Sequence, residues 1–188
     1  EQLKSMGLQI FLDLKLYDIP HQIELATQAL AQLGIGMLTV HASGGKDMLL
    51  SAQKGLEKGS DDILPKLLAV TVLTSMDRDD LNSIGVHVSE TANQVEQLAK
   101  LATNVGVSGF VSSPHEAKII RGIAGNDAYI VTPGIRPHYN STDDQKRIAT
   151  PKFAILQGAS HLVIGRPITQ SDDPLRMVDS IATQIEGA

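Results

Sequence analysis

Ile10-Phe11-Leu12-Asp13-Leu14-Lys15-Leu16-Tyr17-Asp18-Ile19-Pro20 is the stretch on which the fold turns. Side chains alternate faces along a strand, so Leu12, Leu14 and Leu16 share one face and can pack under helices. Asp13 and Lys15 share the other face, about 7 Å apart along the strand. Asp18 follows in the loop, close enough to join them. In a closed barrel that second face points inward, and the C-terminal strand end is where such barrels do chemistry. A structural ion pair is the competing reading, and for an arbitrary D-x-K it is the commoner one. A buried pair gains little stability over apolar packing, so its presence on an otherwise apolar strand leans towards function.

Working outward, strand-like runs recur at Gln9–Leu14, Met37–His41, Leu67–Leu73, Gly109–Ser112, Tyr129–Thr132 and His161–Gly165. Several are continuous apolar stretches, as expected of parallel strands buried on both faces. Helices are signalled between them. Pro20 sits at a first helical position and Gly34 closes that helix. Ser113-Pro114-His115-Glu116 reads as a capping box, and Thr150-Pro151 and Asp173-Pro174 as caps followed by proline. Val95, Leu98, Ala102 and Val105 form one apolar stripe, and Leu175, Val178, Ile181 and Ile185 another. Six βα units imply an α/β fold with a parallel sheet. An open doubly wound sheet and a closed eight-stranded barrel both fit that pattern. The charged strand end favours the (β/α)8 TIM barrel. Residues 1–188 are then a single barrel domain with strands 3 to 8 present and strands 1 and 2 missing.

The bulk numbers agree with one globular domain: 188 residues, 42% hydrophobic and 20% charged. A net charge of -5 disfavours nucleic acid as the main partner but leaves room for a small phosphorylated ligand in a locally basic pocket. The chain has no cysteine, which excludes disulfides, thiolate nucleophiles and cysteine metal sites and fits a cytoplasmic location. No apolar run approaches the roughly 20 residues that span a bilayer. The N-terminus has no signal-peptide character and no initiator methionine, so Glu1 is not taken as the natural start.

Two later segments suggest an anion site. His161-Leu162-Val163-Ile164-Gly165-Arg166-Pro167 is a strand ending in Gly-Arg; Gly165 lets a ligand approach the backbone and Arg166 can grip a phosphate bidentately. The loop from Thr132-Pro133-Gly134-Ile135-Arg136-Pro137 to Arg147 is long and polar like a lid, with Arg136 and Gln145 able to bind ligand oxygens. A solvated connection explains that loop equally well. His41-Ala42-Ser43-Gly44-Gly45 reads as pocket lining or as a helix-entry turn. Thr74 and Ser75 either hydrogen-bond a heterocycle or cap the next segment. The other histidines, His21, His87, His115 and His138, lack metal-ligand spacing, and no metal site is read.

Five segments in order resemble the orotidine 5'-phosphate decarboxylase family, bacterial type. They are Asp13-Leu14-Lys15 with Asp18-Ile19-Pro20, Val40-His41-Ala42-Ser43-Gly44-Gly45, Val70-Thr71-Val72-Leu73-Thr74-Ser75, Thr132-Pro133-Gly134-Ile135-Arg136-Pro137 and Val163-Ile164-Gly165-Arg166-Pro167. The resemblance implies cofactor-independent, metal-free decarboxylation of orotidine 5'-phosphate to uridine 5'-phosphate in pyrimidine biosynthesis. It implies Lys15 as proton donor to C6, flanked by Asp13 and Asp18, with Asp18 contributed across a homodimer interface. Ile19, Gln22, Thr74 and Ser75 match substrate-binding positions, and Arg136, Gln145, Gly165 and Arg166 match the phosphate-gripping set. Two features depart from the family. Its first two strands, bearing a ribose-binding Asp and a network Lys, have no counterpart, and Gln22 stands where many relatives have Thr. A magnesium-dependent sugar-phosphate decarboxylase shares the D-x-K-x-x-D strand, but the loop at Thr132–Pro137 and the lack of further acidic ligands favour the nucleotide enzyme. A non-catalytic phosphate-binding barrel is the reading from another class, and the intact Asp13, Lys15 and Asp18 argue against it.

Overall fold

The computed structural model describes residues 2–61, 63–137 and 148–188. The chain is a parallel α/β protein whose six described strands neighbour one another in chain order. It divides into two compact units, Glu1–Thr71 with Leu98–Phe110, and Val72–Gln97 with Val111–Ala188.

The first unit holds α1 (Gln2–Ser5), β1 (Phe11–Leu16), α2 (Pro20–Ala31), β2 (Met37–His41), α3 (Gly45–Gly59) and β3 (Lys66–Val70). β2 pairs in parallel with both β1 and β3, and with β3 the register is unbroken from Met37↔Lys66 to His41↔Val70. Leu38, Thr39 and Val40 are all fully buried, the signature of a strand covered on both faces. α2 turns Ile23, Thr27 and Ala31 inward at four-residue spacing, and α3 answers with Met48, Leu49, Ala52, Gly55, Leu56 and Gly59. The crossing is close because two glycines allow it. A Cβ on Gly55 would strike the Thr27 hydroxyl and the Glu24 carbonyl, and one on Gly59 would strike the Gln28 carbonyl. At the rim of this pair Glu24 accepts from Lys54 at 3.0 Å and Lys58 at 2.6 Å. Those two ammonium groups, Lys58 foremost, hold its carboxyl below the usual range.

The second unit holds α4 (Arg78–Ser83), β5 (Tyr129–Thr132), α6 (Ala117–Ala124), α7 (Pro151–Leu156), β6 (His161–Leu162), α8 (Arg166–Thr169) and α9 (Pro174–Glu186); α5 (Thr91–Asn104) and β4 (Gly109–Val111) contain the boundaries between units. β5 and β6 pair in parallel, Val131↔His161 and Thr132↔Leu162. Ile135, Ala154 and Ala159 form a core with Leu162 and Ile164 against it. A capping box that the sequence reading missed starts α4: Asp77 accepts from the Asp79 and Asp80 backbone, and Asp80 accepts from the Asp77 backbone.

Several expectations need correction. β6 is two residues long rather than five, although the Val163 N–H still donates to the Thr132 carbonyl at 2.9 Å. The Ser113–Glu116 box does not cap α6. The Ser113 hydroxyl accepts instead from His115 two residues on, a local turn that delays the helix to Ala117. Thr150 and Asp173 do cap α7 and α9, accepting from Phe153 and Arg176. On α9 only Ile181 is buried, and Leu175 is 79% exposed.

Candidate active site

The charged cluster forms in the first unit, but not by the simple alternation expected of β1. Between Leu12↔Leu38 and Leu16↔Val40 the register with β2 slips, so four steps on β1 span two on its neighbour. Lys15 sits in that bulge with φ +51°, among the described residues the only non-glycine with positive φ. The slip also turns Leu14 outward to 50% exposure, so Leu12, Leu14 and Leu16 do not pack as one face. Asp13 and Lys15 nonetheless meet: the Lys15 Nζ donates to Asp13 Oδ2 at 2.6 Å. Their side chains are 41% and 36% exposed. A pair this accessible is worth about 0–1 kcal/mol. A left-handed non-glycine residue costs about 1–3 kcal/mol. The local balance is therefore unfavourable, so the pair does not by itself offset the backbone strain at Lys15.

Thr39 on β2 completes the cluster, and sequence reasoning overlooked it. Its hydroxyl donates to Asp13 Oδ1 at 2.9 Å and accepts from the Lys15 backbone N–H at 2.8 Å. The available signal was a polar residue inside the apolar run Met37–His41, two positions from His41 and so on the same face. His41 lies at the end of that face, half-buried, its ring edge-on to Tyr17 at 5.9 Å. Burial, and then the nearby Lys15 charge, lower its pKa from the ordinary value, with Asp13 opposing.

Asp18 does not join the pair within the chain. It accepts from the Ile19 N–H at 2.7 Å and, among the described residues, makes no ion pair with Lys15. Ile19 is the N-cap of α2, before Pro20 at the first position, and is 63% exposed; Gln22 is exposed in the first turn.

In the second unit Thr74 is buried and Ser75 exposed, within a turn closed by the Met76 N–H on the Leu73 carbonyl at 2.9 Å. Arg136 is buried and anchored, its backbone N–H on Ala149 at 2.8 Å and its guanidinium on the Ile135 carbonyl at 2.9 Å. Gly165 and Arg166 are exposed where α8 begins, and a Cβ on Gly165 would meet only open space. That space leaves the backbone approachable, as the phosphate reading requires. Gln145 and His138 lie outside the described residues. Among the described residues no group of three or more His, Cys, Asp or Glu is placed to hold a metal ion. No helix among them is long and apolar enough to cross a membrane.

Known proteins resemble the chain over nearly its whole length. The chain is 44% identical over 188 residues to an orotidine 5'-phosphate decarboxylase of Saccharophagus degradans, covering 78% of that protein. It is 48% identical over 185 residues to the enzyme of that name from Actinobacillus pleuropneumoniae, covering 80% of it. The crystal structure of orotidine 5'-phosphate decarboxylase from Lactobacillus acidophilus superposes with a TM-score of 0.85 at 42% identity, over 98% of this chain and 78% of that one. An uncharacterized conserved protein from Geobacillus kaustophilus gives 0.84 at 33% identity, over 98% and 79%. Residues 1–181 match the Orotidine 5'-phosphate decarboxylase / HUMPS family, and the chain belongs to it.

Proposed function

We propose that this protein decarboxylates orotidine 5'-phosphate to uridine 5'-phosphate without a cofactor, with Lys15 as proton donor to C6. The observation that carries the reading is the Asp13–Lys15 pair held in a strained bulge at a strand end. As the C6–carboxylate bond breaks, carbon dioxide leaves and the electron pair stays on C6, where the ring offers no conjugated sink. The fixed Lys15 ammonium stabilises that charge and then gives C6 a proton, later regained from solvent. Asp13 keeps the ammonium oriented and repels the substrate carboxylate more than the departing product.

The remaining assignments follow the family pattern. Thr74 and Ser75 bind the base, Ile19 and Gln22 line the substrate, and Arg136, Gln145, Gly165 and Arg166 hold the phosphate, whose binding energy organises the site. Asp18 serves the partner of a homodimer, a reading that its carboxylate, held by the Ile19 N–H at 2.7 Å, supports. β1 to β6 correspond to strands 3 to 8 of one (β/α)8 barrel domain, and the protein works in the cytoplasm.

Lys15→Ala is expected to lower turnover by more than about a thousandfold, roughly 4 kcal/mol of barrier, while uridine 5'-phosphate still binds. A loss under about tenfold would remove Lys15 from the chemistry. Mixed with Asp18→Ala chains, the same variant reports on assembly. Heterodimers carry one site with neither lesion, so activity returns on subunit exchange; proven exchange without recovery places Asp18 in its own chain's site.

A further inference from the structure

We propose that Thr39 is a positioning residue for proton transfer, its single hydroxyl fixing both the carboxylate of Asp13 and the backbone of Lys15. This rests on the reading of Lys15 as the proton donor. A hydroxyl has one hydrogen to give and two lone pairs. An ionised Asp13 only accepts, so the Thr39 hydrogen goes to Oδ1 at 2.9 Å, and the Thr39 oxygen takes the Lys15 N–H at 2.8 Å. The circuit closes on Lys15 a second time, because its Nζ holds the other carboxylate oxygen at 2.6 Å. Main chain and side chain of the proton donor are thus tied to one atom of β2.

The bulge makes that tie necessary. Where the β1–β2 register slips, the regular ladder is interrupted, and the Thr39 hydroxyl stands where a strand carbonyl would receive the Lys15 N–H. Thr39 is fully buried, and its β-branched side chain has few χ1 choices, so the backbone of β2 dictates where the oxygen lies. β2 itself is held from both sides by β1 and β3. Its rigidity is transmitted through one hydroxyl to a residue whose own backbone is strained.

The test uses three substitutions and two readouts. Thr39→Val keeps the shape and loses the hydroxyl; Thr39→Ser keeps the hydroxyl and loses the methyl; Thr39→Cys, with a weakly bonding thiol, is read in place of Thr39→Val if that variant does not fold. The first readout is kcat and KM for orotidine 5'-phosphate. The second is exchange of the C6 hydrogen of uridine 5'-phosphate in heavy water, followed by NMR. In that exchange the neutral Lys15 amine removes the C6 proton and returns a deuteron taken up from solvent, which is its proposed proton transfer run backwards. With Thr39→Val, kcat and exchange are both expected to fall roughly 10- to 100-fold, as for loss of a hydrogen bond to a charged group, while KM changes by less than about threefold. Thr39→Ser should restore both to within about threefold. Full kcat and exchange in Thr39→Val overturn the proposal, as does a Thr39→Ser loss equal to that of Thr39→Val, which would assign the effect to packing. Lys15→Ala is run alongside. If it decarboxylates and exchanges normally, the reading of Lys15 itself fails; if it is inactive while Thr39→Val is not, only the role of Thr39 fails.

Discussion

β1 and β2 are adjacent parallel strands of one unit, yet they are built on opposite principles. β2 keeps an unbroken register with β3, and three consecutive residues, Leu38, Thr39 and Val40, are fully buried. Among the described residues β1 pairs with a strand on one side only; it slips register, exposes Leu14 and carries a residue at φ +51°. The quiet strand supplies stability and a fixed hydroxyl, and the irregular one carries the charged Asp13–Lys15 pair. Strain is tolerated on β1 because β2 beside it over-determines the geometry.

The largest consequence is in stability. Leu38→Ala on β2 should cost about 2–5 kcal/mol in urea unfolding, the range for a fully buried leucine. Leu14→Ala on β1 should cost about 1 kcal/mol or less, because the residue is already half exposed to solvent. Equal losses would mean that β1 contributes to the core as β2 does, and the contrast would be gone.

What the sequence revealed divides along the same line. Met37–His41 and Tyr129–Thr132 were located to the residue, since a short apolar run bounded by turn signals has one economical conformation. The Asp13–Lys15 pairing was legible because the two residue types attract at that spacing. The bulge was not, since Leu-Asp-Leu-Lys-Leu fits a regular strand equally well and no Gly or Asn announces the positive φ at Lys15. Thr150 and Asp173 were readable caps, each needing one bond to a nearby N–H. Ser113 was misread because a shorter-range partner, the His115 N–H, competes for the same oxygen. The stripe on α9 was readable as a pattern, but periodicity says nothing of what covers it, and Leu175 and Val178 stay exposed.

A smaller effect isolates the strain at Lys15. Glycine adopts positive φ freely, whereas alanine carries the left-handed penalty of about 1–2 kcal/mol per residue. The entropy that glycine loses on folding, about 0.5–1 kcal/mol, offsets part of the difference. Both Lys15→Gly and Lys15→Ala lack the ammonium and should be inactive. Lys15→Gly should nonetheless be the more stable of the two, by up to about 1 kcal/mol. In a regular strand the order is reversed, so a more stable Lys15→Ala would show that the bulge is not strained and that β1 and β2 differ only in burial.

The smallest effect runs through His41, where the two strands meet electrostatically. Burial against β2's surroundings is the main reason its pKa lies below the ordinary 6.5, and the charge of Lys15 on β1 is the second. A lowered pKa means that the folded chain binds the proton less well than the unfolded one. The corresponding stability is fully present above the unfolded value and is lost as pH falls through that value towards the folded one. Melting temperatures compared at about pH 7.5 and about pH 5.5 should therefore fall further in the wild type than in His41→Asn, which has no proton to take up in that window. The other histidines are common to both proteins, and their contributions cancel in the difference. Lys15→Ala in the wild-type background should recover only the minor part of that excess, since burial remains. If it recovers most of it, the Lys15 charge outweighs burial; if His41→Asn melts with the wild-type pH dependence, His41 does not report on β1 at all.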